Sequence, residues 1–132
     1  MTLDRAHMTT TSNDVVVVLG ASPKAERFSN QAVRLLIEHG YAVIPVNPAF
    51  ASIEELPTAK DLRAIRAAVS TLSVYVGPER SATMLDDMVV LHPARVVLNP
   101  GTESPVLEAA LRTHGIEVVH DCTLRMLREG RF

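Results

Sequence analysis

The chain has 132 residues, of which 47% are hydrophobic and 21% charged, as expected for one ordinary globular domain. Its net charge of −2, from 13 Lys and Arg against 15 Asp and Glu, argues against a general nucleic-acid binder. No apolar run reaches the roughly 18 residues of a membrane span, and the N-terminus lacks the apolar middle of a secretion signal. The single cysteine, Cys122, cannot form an internal disulfide, which fits a reducing cytoplasm. We therefore expect a cytoplasmic protein with a flexible polar leader (1–13) and one domain (14–132).

The first part of the domain predicts a β-α-β unit with parallel strands and a right-handed crossover. "VVVVL" is a continuous apolar, β-branched run, which is typical of a strand covered on both faces. In chain order, the predicted parts are a strand Val15–Leu19, a loop Gly20–Phe28, a helix from Asn30 to His39 with Ser29 as N-cap and Gly40 at its end, and a strand Tyr41–Val46.

The alternation of strands and helices continues to the C-terminus. "AFASIEEL" indicates a short edge strand and "AKDLRAIRAAV" a helix. The remaining predicted elements are a strand Thr71–Val76, a helix Glu79–Val90, a strand Arg95–Leu98, a helix from Pro105 to about His114 with Ser104 as N-cap, a strand Ile116–Val119 and a short helix Thr123–Glu129. This order predicts an α/β fold: a doubly wound, mainly parallel sheet of five to six strands with helices on both faces.

Four loops with unusual residues leave the carboxyl ends of the predicted strands. In a doubly wound sheet, the ligand sits beyond those ends, where the strand order reverses. The loops are Gly20–Phe28, Asn47-Pro48, Gly77-Pro78 and Asn99-Pro100-Gly101. Glycine and proline mark turns anywhere in a protein, so the signal is their common position on the ligand side of the sheet.

The first of these loops has the composition of an anion site. A helix that begins near Ser29 offers unpaired N–H groups and a partial positive charge. Gly20 allows a sharp turn, Lys24 and Arg27 add two positive charges, and Ser22 supplies a hydroxyl donor. The alternative is that both cations are solvated loop residues and Ser29 only caps the helix.

The loop does not match two common nucleotide-binding motifs. An NAD site has G-x-G-x-x-G and an acidic residue at the end of the second strand, whereas this chain has one glycine and Asn47 there. The Walker A sequence is absent as well. An adenine nucleotide with additional phosphate charge, such as coenzyme A, fits these residues better.

"VVLGASPKAERFSNQAVRLLIEHGYAVIPVNP" resembles the opening of the small CoA-binding proteins, relatives of the CoA-binding domain in the succinyl-CoA ligase alpha subunit. The resemblance extends through "LSVYVGP" and "AALRTHGIEVVHDC", so it covers most of residues 14–122. It implies a Rossmann-like domain whose first loop contacts phosphates, while the Asn-Pro turn and the loop Val76–Pro78 flank the adenosine.

By that resemblance the site residues are Gly20, Ala21, Ser22, Lys24, Arg27, Ser29, Asn47, Pro48, Val76, Gly77 and Pro78, with coenzyme A or an acyl-CoA as the ligand. The chain departs from the family pattern in three places. The segment after the Asn-Pro turn is short and lacks glycine, the fourth strand's loop reads "VVLNPGTES", and His120-Asp121-Cys122 replaces Asp-Arg-Cys.

Few side chains indicate catalysis. His39, His92 and His114 each lie near a predicted helix end, where a capping or dipole role is expected. His120 and Cys122 could form a thiolate pair, but a buried or half-buried free cysteine is the commoner outcome. No ligand pair has metal-site spacing.

Three hypotheses remain open. The first is a non-catalytic module that binds coenzyme A or acyl-CoA. The second is an enzyme on the same Rossmann-like site, either an NAD(P)-linked oxidoreductase or a CoA-dependent enzyme fragment. The third is a redox-responsive protein whose Cys122 forms a mixed disulfide with coenzyme A. The "VVLNPG" edge could support a homodimer.

Overall fold

A five-stranded parallel sheet forms the centre of the protein, in a computed structural model that describes residues 14–132. The predicted leader, 1–13, lies outside the described residues. The strands are β1 (Val15–Leu19), β2 (Ala42–Val46), β3 (Ser52–Ile53), β4 (Leu56–Pro57), β5 (Thr71–Val74), β6 (Arg95–Leu98) and β7 (Glu117–His120). The sheet order is β2-β1-β5-β6-β7, and β3 and β4 form a separate antiparallel hairpin.

Helices cover both faces of the sheet, which confirms the predicted doubly wound α/β, Rossmann-like class. They are α1 (Phe28–Glu38), α2 (Pro78–Ala82), α3 (Leu85–Leu91), α4 (Pro105–Thr113) and α5 (Thr123–Arg128), with a short 3-10 helix at Leu62–Ala64. α1 and α5 pack together on one face, and α3 packs on α4 and the 3-10 helix on the other. Among residues 14–132, no helix is long and apolar enough to cross a membrane.

The valines of β1 explain why this strand lies in the interior of the sheet. β1 pairs in parallel with β2 on one side and with β5 on the other. Val17 packs into the cluster that contains Met88 and Leu111, whereas Val16 and Val18 pack against Val33 on the opposite face. Both faces are therefore apolar, and a continuous β-branched run satisfies both.

The predicted helix in "AKDLRAIRAAV" is wrong. Only the 3-10 helix forms there, with the Asp61 carboxylate accepting a hydrogen bond from the Ala64 amide at 3.0 Å. The backbone of Ala59 instead joins the end of β2 through a parallel bridge to Val46. Leu62 is nevertheless buried. The prediction that this side chain faces the core is therefore correct, although the predicted helical conformation is not.

The predicted single helix over residues 79–90 is two helices. α2 ends at Ala82 and α3 begins at Leu85. The Thr83 hydroxyl donates to the Arg80 carbonyl at 2.7 Å and competes with continued helical bonding. The predicted edge strand in "AFASIEEL" is present as β3, but it pairs with β4 and not with the main sheet. The other predicted elements are present, with ends shifted by one or two residues.

Candidate functional site

A cleft of about 680 Å³ opens at the carboxyl edge of the sheet. The chain leaves β1 toward β2 on one side and leaves β5 toward β6 on the other, so the strand order reverses between β1 and β5. Ligands bind at such a reversal in doubly wound folds. All four loops that the sequence predicted for the ligand side contribute to the cleft wall, through Gly20–Ser22, Asn47-Pro48, Gly77 and Pro100-Gly101.

The predicted site residues fall into two groups. Those that line the cleft are Gly20, Ala21, Ser22, Arg27, Ser29, Asn47, Pro48 and Gly77. Lys24, Val76 and Pro78 are not part of its wall. Lys24 is an exposed loop residue, Val76 is buried beneath Gly20, and Pro78 begins α2.

At Gly20 the loop that follows β1 lies close against the segment that follows β5. The φ of Gly20 is +86°, a conformation that side chains rarely adopt. A Cβ at this position would lie 2.8 Å from Cγ1 of Val76 and 3.2 Å from the carbonyl carbon of Tyr75. The single glycine of the loop is therefore required both by its backbone angle and by the lack of space.

Two side chains of α1 fix the shape of the loop between β1 and α1. Asn30 is completely buried, and its Nδ2 donates to the Ser22 carbonyl at 2.9 Å and to the Glu54 carboxylate at 3.1 Å. Arg34 donates to the Ala25 carbonyl at 2.8 Å and to Oδ1 of Asn30 at 2.8 Å. Two loop carbonyls thus already have donors, which reduces their repulsion of an anion in the cleft.

Asn47 holds the same loop from the end of β2. Its Nδ2 donates to the Ala21 carbonyl at 2.8 Å, and its Oδ1 accepts from the Ala49 amide at 2.7 Å. The amide side chain therefore joins the Asn-Pro turn to the first loop. This contact explains the residue type at Asn47 without a ligand.

The N-terminus of α1 opens at the cleft without a side-chain cap. The prediction that Ser29 is the N-cap is wrong: the N-cap is Arg27, whose backbone is extended and whose side chain makes no cap hydrogen bond. Ser29 lies within the first turn and is 5% exposed. The Arg27 amide donates to the Lys24 carbonyl at 3.1 Å, so the loop turns at Lys24–Arg27, directly before α1 begins at Phe28. The first amides of α1 thus remain available to an anion.

Sequence reasoning missed several charged residues in the cleft wall. These are Glu26, Lys60, Asp61, Arg80 and Asp87. Asp87 is paired with Arg63 at 2.7 Å, and Asp61 accepts from the Ala64 amide. Nothing in their local sequence distinguishes them from solvated surface charges.

A buried polar network lies where β5, β6 and α5 meet. Asn99 is 1% exposed, and its Nδ2 donates to Ser73 Oγ at 3.0 Å and to the Val74 carbonyl at 2.8 Å. Its Oδ1 accepts from the Thr123 amide at 2.8 Å. Tyr75 also lines the cleft. Its hydroxyl is buried, and this burial raises the pKa of Tyr75.

The three histidines predicted at helix ends occupy those positions. His39 and His114 are the C-caps of α1 and α4, and each ring Nδ1 lies 2.9 Å from the carbonyl four residues earlier. His92 is the C-cap of α3. The predicted positions at helix ends are confirmed, and the rings of His39 and His114 also bond to their own helices.

Within the part of the chain that the structure describes, no hydrogen bond joins His120 to Cys122. His120 Nε2 lies 2.6 Å from the Glu108 carboxylate on α4, and Cys122 is a half-buried free thiol at the N-cap of α5. This confirms the prediction of a buried or half-buried free cysteine. Among residues 14–132, no group of three or more His, Cys, Asp and Glu side chains could hold a metal ion.

Asp121 makes the stability of the C-terminal segment, residues 121–131, depend on pH. Its carboxylate accepts from Arg131 at 2.6 Å and from the Cys122 amide at 2.7 Å. The Arg131 hydrogen bond first, and then the Cys122 amide, hold the pKa of Asp121 below its ordinary 3.8. Because the ionised form is favoured in the folded state, the stabilisation is present above the unfolded-state pKa and is lost as the pH falls through the lower folded-state pKa.

We expect Asp121→Asn to lower the thermal unfolding temperature at neutral pH and to match the wild type once the pH is well below 3.8. Melting curves recorded across this range by circular dichroism measure the difference. Glu38→Gln, which removes an exposed carboxylate without a hydrogen bond among the described residues, is the control. A difference for Asp121→Asn that stays constant down to acid unfolding contradicts the titration.

The fold defines a Rossmann-like class of α/β domain with a cleft at the carboxyl edge of its sheet. The family model described as "CoA binding domain" matches residues 14–128. The chain therefore belongs to the CoA-binding domain family, which confirms the resemblance seen in the sequence. No curated protein matches the chain.

Solved structures show the same fold. A structure titled "Crystal structure of uncharacterized protein" is 34% identical, with a TM-score of 0.85 over 90% of this chain and 98% of that one. A protein from Thermus thermophilus, cell-free ID.343, is 31% identical, with a TM-score of 0.84 over 97% of this chain and 96% of that one. The dinucleotide forming acetyl-coenzyme A synthetase 1 of Ca. Korarchaeum cryptofilum shares the fold at 18% identity and a TM-score of 0.72, over 85% of this chain and 27% of that one.

Proposed function

We propose that the chain binds coenzyme A or an acyl-CoA without catalysing a reaction on it, with the ligand's diphosphate at the start of α1. The observation that carries this proposal is the uncapped N-terminus of α1, which opens at the cleft beside Arg27. Helix amides and a guanidinium both favour phosphate oxygens. Family membership supports a CoA-type ligand in general.

The shape of the loop supports the same assignment. The carbonyls of Ala21, Ser22 and Ala25 accept side-chain hydrogen bonds from Asn47, Asn30 and Arg34. Their partial negative charges are therefore partly compensated before any ligand arrives. A preorganised loop of this kind binds an anion without first rearranging, which lowers the free-energy cost of binding.

The competing NAD(P)-linked oxidoreductase has less support. An NAD site uses an acidic residue at the end of the second strand to hold the ribose hydroxyls. Asn47 stands there, and its amide is bonded to the backbone of Ala21 and Ala49. The Asn47 amide group is neutral, so it lacks the negative charge with which a carboxylate holds the ribose hydroxyls.

The test is isothermal titration calorimetry with coenzyme A, acetyl-CoA, NAD, NADP and ATP. We expect micromolar binding of coenzyme A and weaker or no binding of NAD and ATP. Arg27→Ala should weaken coenzyme A binding by about 1.5–3 kcal/mol, or about tenfold to a hundredfold, because a charge-assisted hydrogen bond is lost. The free energy of unfolding should change by less than about 0.5 kcal/mol, since Arg27 is exposed.

Arg66→Ala is the matched control. Arg66 is exposed and is not part of the cleft wall, so its removal changes the net charge equally without touching the cleft. It should leave the affinity unchanged. Binding of NAD with none of coenzyme A would contradict the proposed ligand. An equal loss of affinity in both arginine variants would contradict the proposed phosphate position.

A further inference from the structure

Lys60 lies beside the carboxyl end of β2 because its neighbour Ala59 is bonded to that strand. The Ala59 amide donates to the Pro45 carbonyl at 3.0 Å, and the Ala59 carbonyl accepts from the Asn47 amide at 3.0 Å. Lys60 is exposed and lines the cleft. The backbone bonds thus fix the position from which the ammonium group extends, while its four-carbon stem remains adjustable.

The charge of Lys60 is available to a ligand. Among residues 14–132, Lys60 makes no ion pair. The nearest carboxylate in sequence, Asp61, caps the Ala64 amide, and Asp87 in the same cleft is paired with Arg63. Two of the acidic groups in the cleft therefore already have partners, and the lysine does not.

The end of the second strand is where the ribose of a bound nucleotide lies when its diphosphate occupies the first strand-helix turn. A site for a free ribose diol has a carboxylate at this position, whereas a site for a phosphorylated ribose has a cation. Here the residue that ends β2 is the neutral Asn47, and the exposed cation beside it is Lys60.

We propose that Lys60 binds a phosphate monoester on the ribose of the ligand, separate from the diphosphate at the start of α1. This inference rests on the proposed function, since it takes the diphosphate position from it. The same chemistry is present in two ligands: the 3′-phosphate of coenzyme A and the 2′-phosphate of NADP. An ammonium group binds either one as a point charge.

The experiment compares each ligand with its counterpart that lacks the monoester, by calorimetry on the wild-type chain and on Lys60→Met. The pairs are coenzyme A with 3′-dephospho-coenzyme A, and NADP with NAD. We expect the wild type to prefer coenzyme A over the dephospho form by about tenfold or more, the effect of one charge-assisted contact. In Lys60→Met this preference should fall to about twofold or less, and in Lys60→Arg it should be retained.

Arg80→Met is the matched control because Arg80 also lines the cleft but lies on α2, after β5. It should change the affinities for both members of a pair by the same factor. Equal weakening of coenzyme A and its dephospho form in Lys60→Met overturns the inference and leaves the proposed function standing. Lys60-dependent preference for NADP over NAD, with no binding of coenzyme A, supports the inference and overturns the proposed function. If neither phosphorylated ligand binds, both are wrong.

Discussion

Gly20→Ala should lower the free energy of unfolding by about 2–5 kcal/mol and weaken coenzyme A binding as well. A left-handed backbone costs a non-glycine residue about 1–2 kcal/mol, and overpacking adds about 1–3 kcal/mol. Both costs apply, because φ is +86° and the added Cβ would lie 2.8 Å from Val76 Cγ1. The Tyr75 backbone, 3.2 Å away, cannot move without shifting β5, so the loop that faces the ligand must move instead. Urea denaturation and calorimetry measure the two effects.

Gly77→Ala provides a matched control in the same cleft. Gly77 also lines the wall, but its φ is −69° and a Cβ there would meet nothing within 4 Å. We expect its stability to equal that of the wild type or to rise by about 0.4–1 kcal/mol, since alanine restricts the unfolded chain. If Gly77→Ala destabilises the protein as much as Gly20→Ala, the close approach at Gly20 is not the cause.

The inner strands of the sheet were predictable because they satisfy two buried faces at once. In β1, Val16 to Leu19 are at most 2% exposed. Such a strand is a continuous apolar run, which can be recognised in the sequence without knowing what packs against it. The ligand side of the sheet follows from the same fact, because parallel strands place all their carboxyl ends at one edge. For this reason the four loops that form the cleft could be chosen from the sequence alone.

The conformation of the connecting segments was not predictable in the same way. The residues around Lys60 have a helical apolar period, yet the Ala59 backbone pairs with β2, about a dozen positions earlier in the chain. Ser29 has the side chain of a good N-cap, but the helix begins one residue earlier, at Phe28, and Asn30 and Arg34 bond to the loop before it. These outcomes depend on partners that local sequence does not contain.

The charged lining of the cleft shows the same limit. Arg27 could be assigned from its place in the first strand-helix loop, whereas Lys60 and Arg80 look like any solvated surface charge until the fold brings them to the cleft. The contact of each predicted residue with the ligand, and the homodimer, stay predictions.

Asn99→Ala should destabilise the protein by about 3–4 kcal/mol, because several buried partners lose their hydrogen bonds together. The Val74 carbonyl and the Thr123 amide, bonded to Asn99 at 2.8 Å each, would have no replacement in a site that is 1% exposed. A buried donor or acceptor left without a partner costs about 1–3 kcal/mol. The shortened side chain also leaves a cavity beside Ser73. Urea denaturation measures the loss of stability. The control is Gln31→Ala, which removes one exposed side-chain hydrogen bond, to the Glu26 carbonyl, and should cost less than about 0.5 kcal/mol.

Asn99→Ala also tests whether the buried network around Asn99 supports the wall of the cleft without contacting the ligand. Asn99 itself is not part of the cleft wall, but its backbone carbonyl accepts from the Thr102 amide and hydroxyl at 3.0 and 2.7 Å, and Thr102 is part of that wall. Asn99→Ala removes the Oδ1 atom that accepts from the Thr123 amide, so hydrogen exchange at this amide should accelerate. Coenzyme A should protect the amide again, since binding to the folded state opposes local opening. An Asn99→Ala variant with wild-type stability and unchanged exchange at Thr123 would mean that this network does not hold α5 against the sheet. In that case the bonds from Thr102 to the backbone carbonyl of residue 99 would be sufficient to hold the Pro100–Thr102 part of the cleft wall.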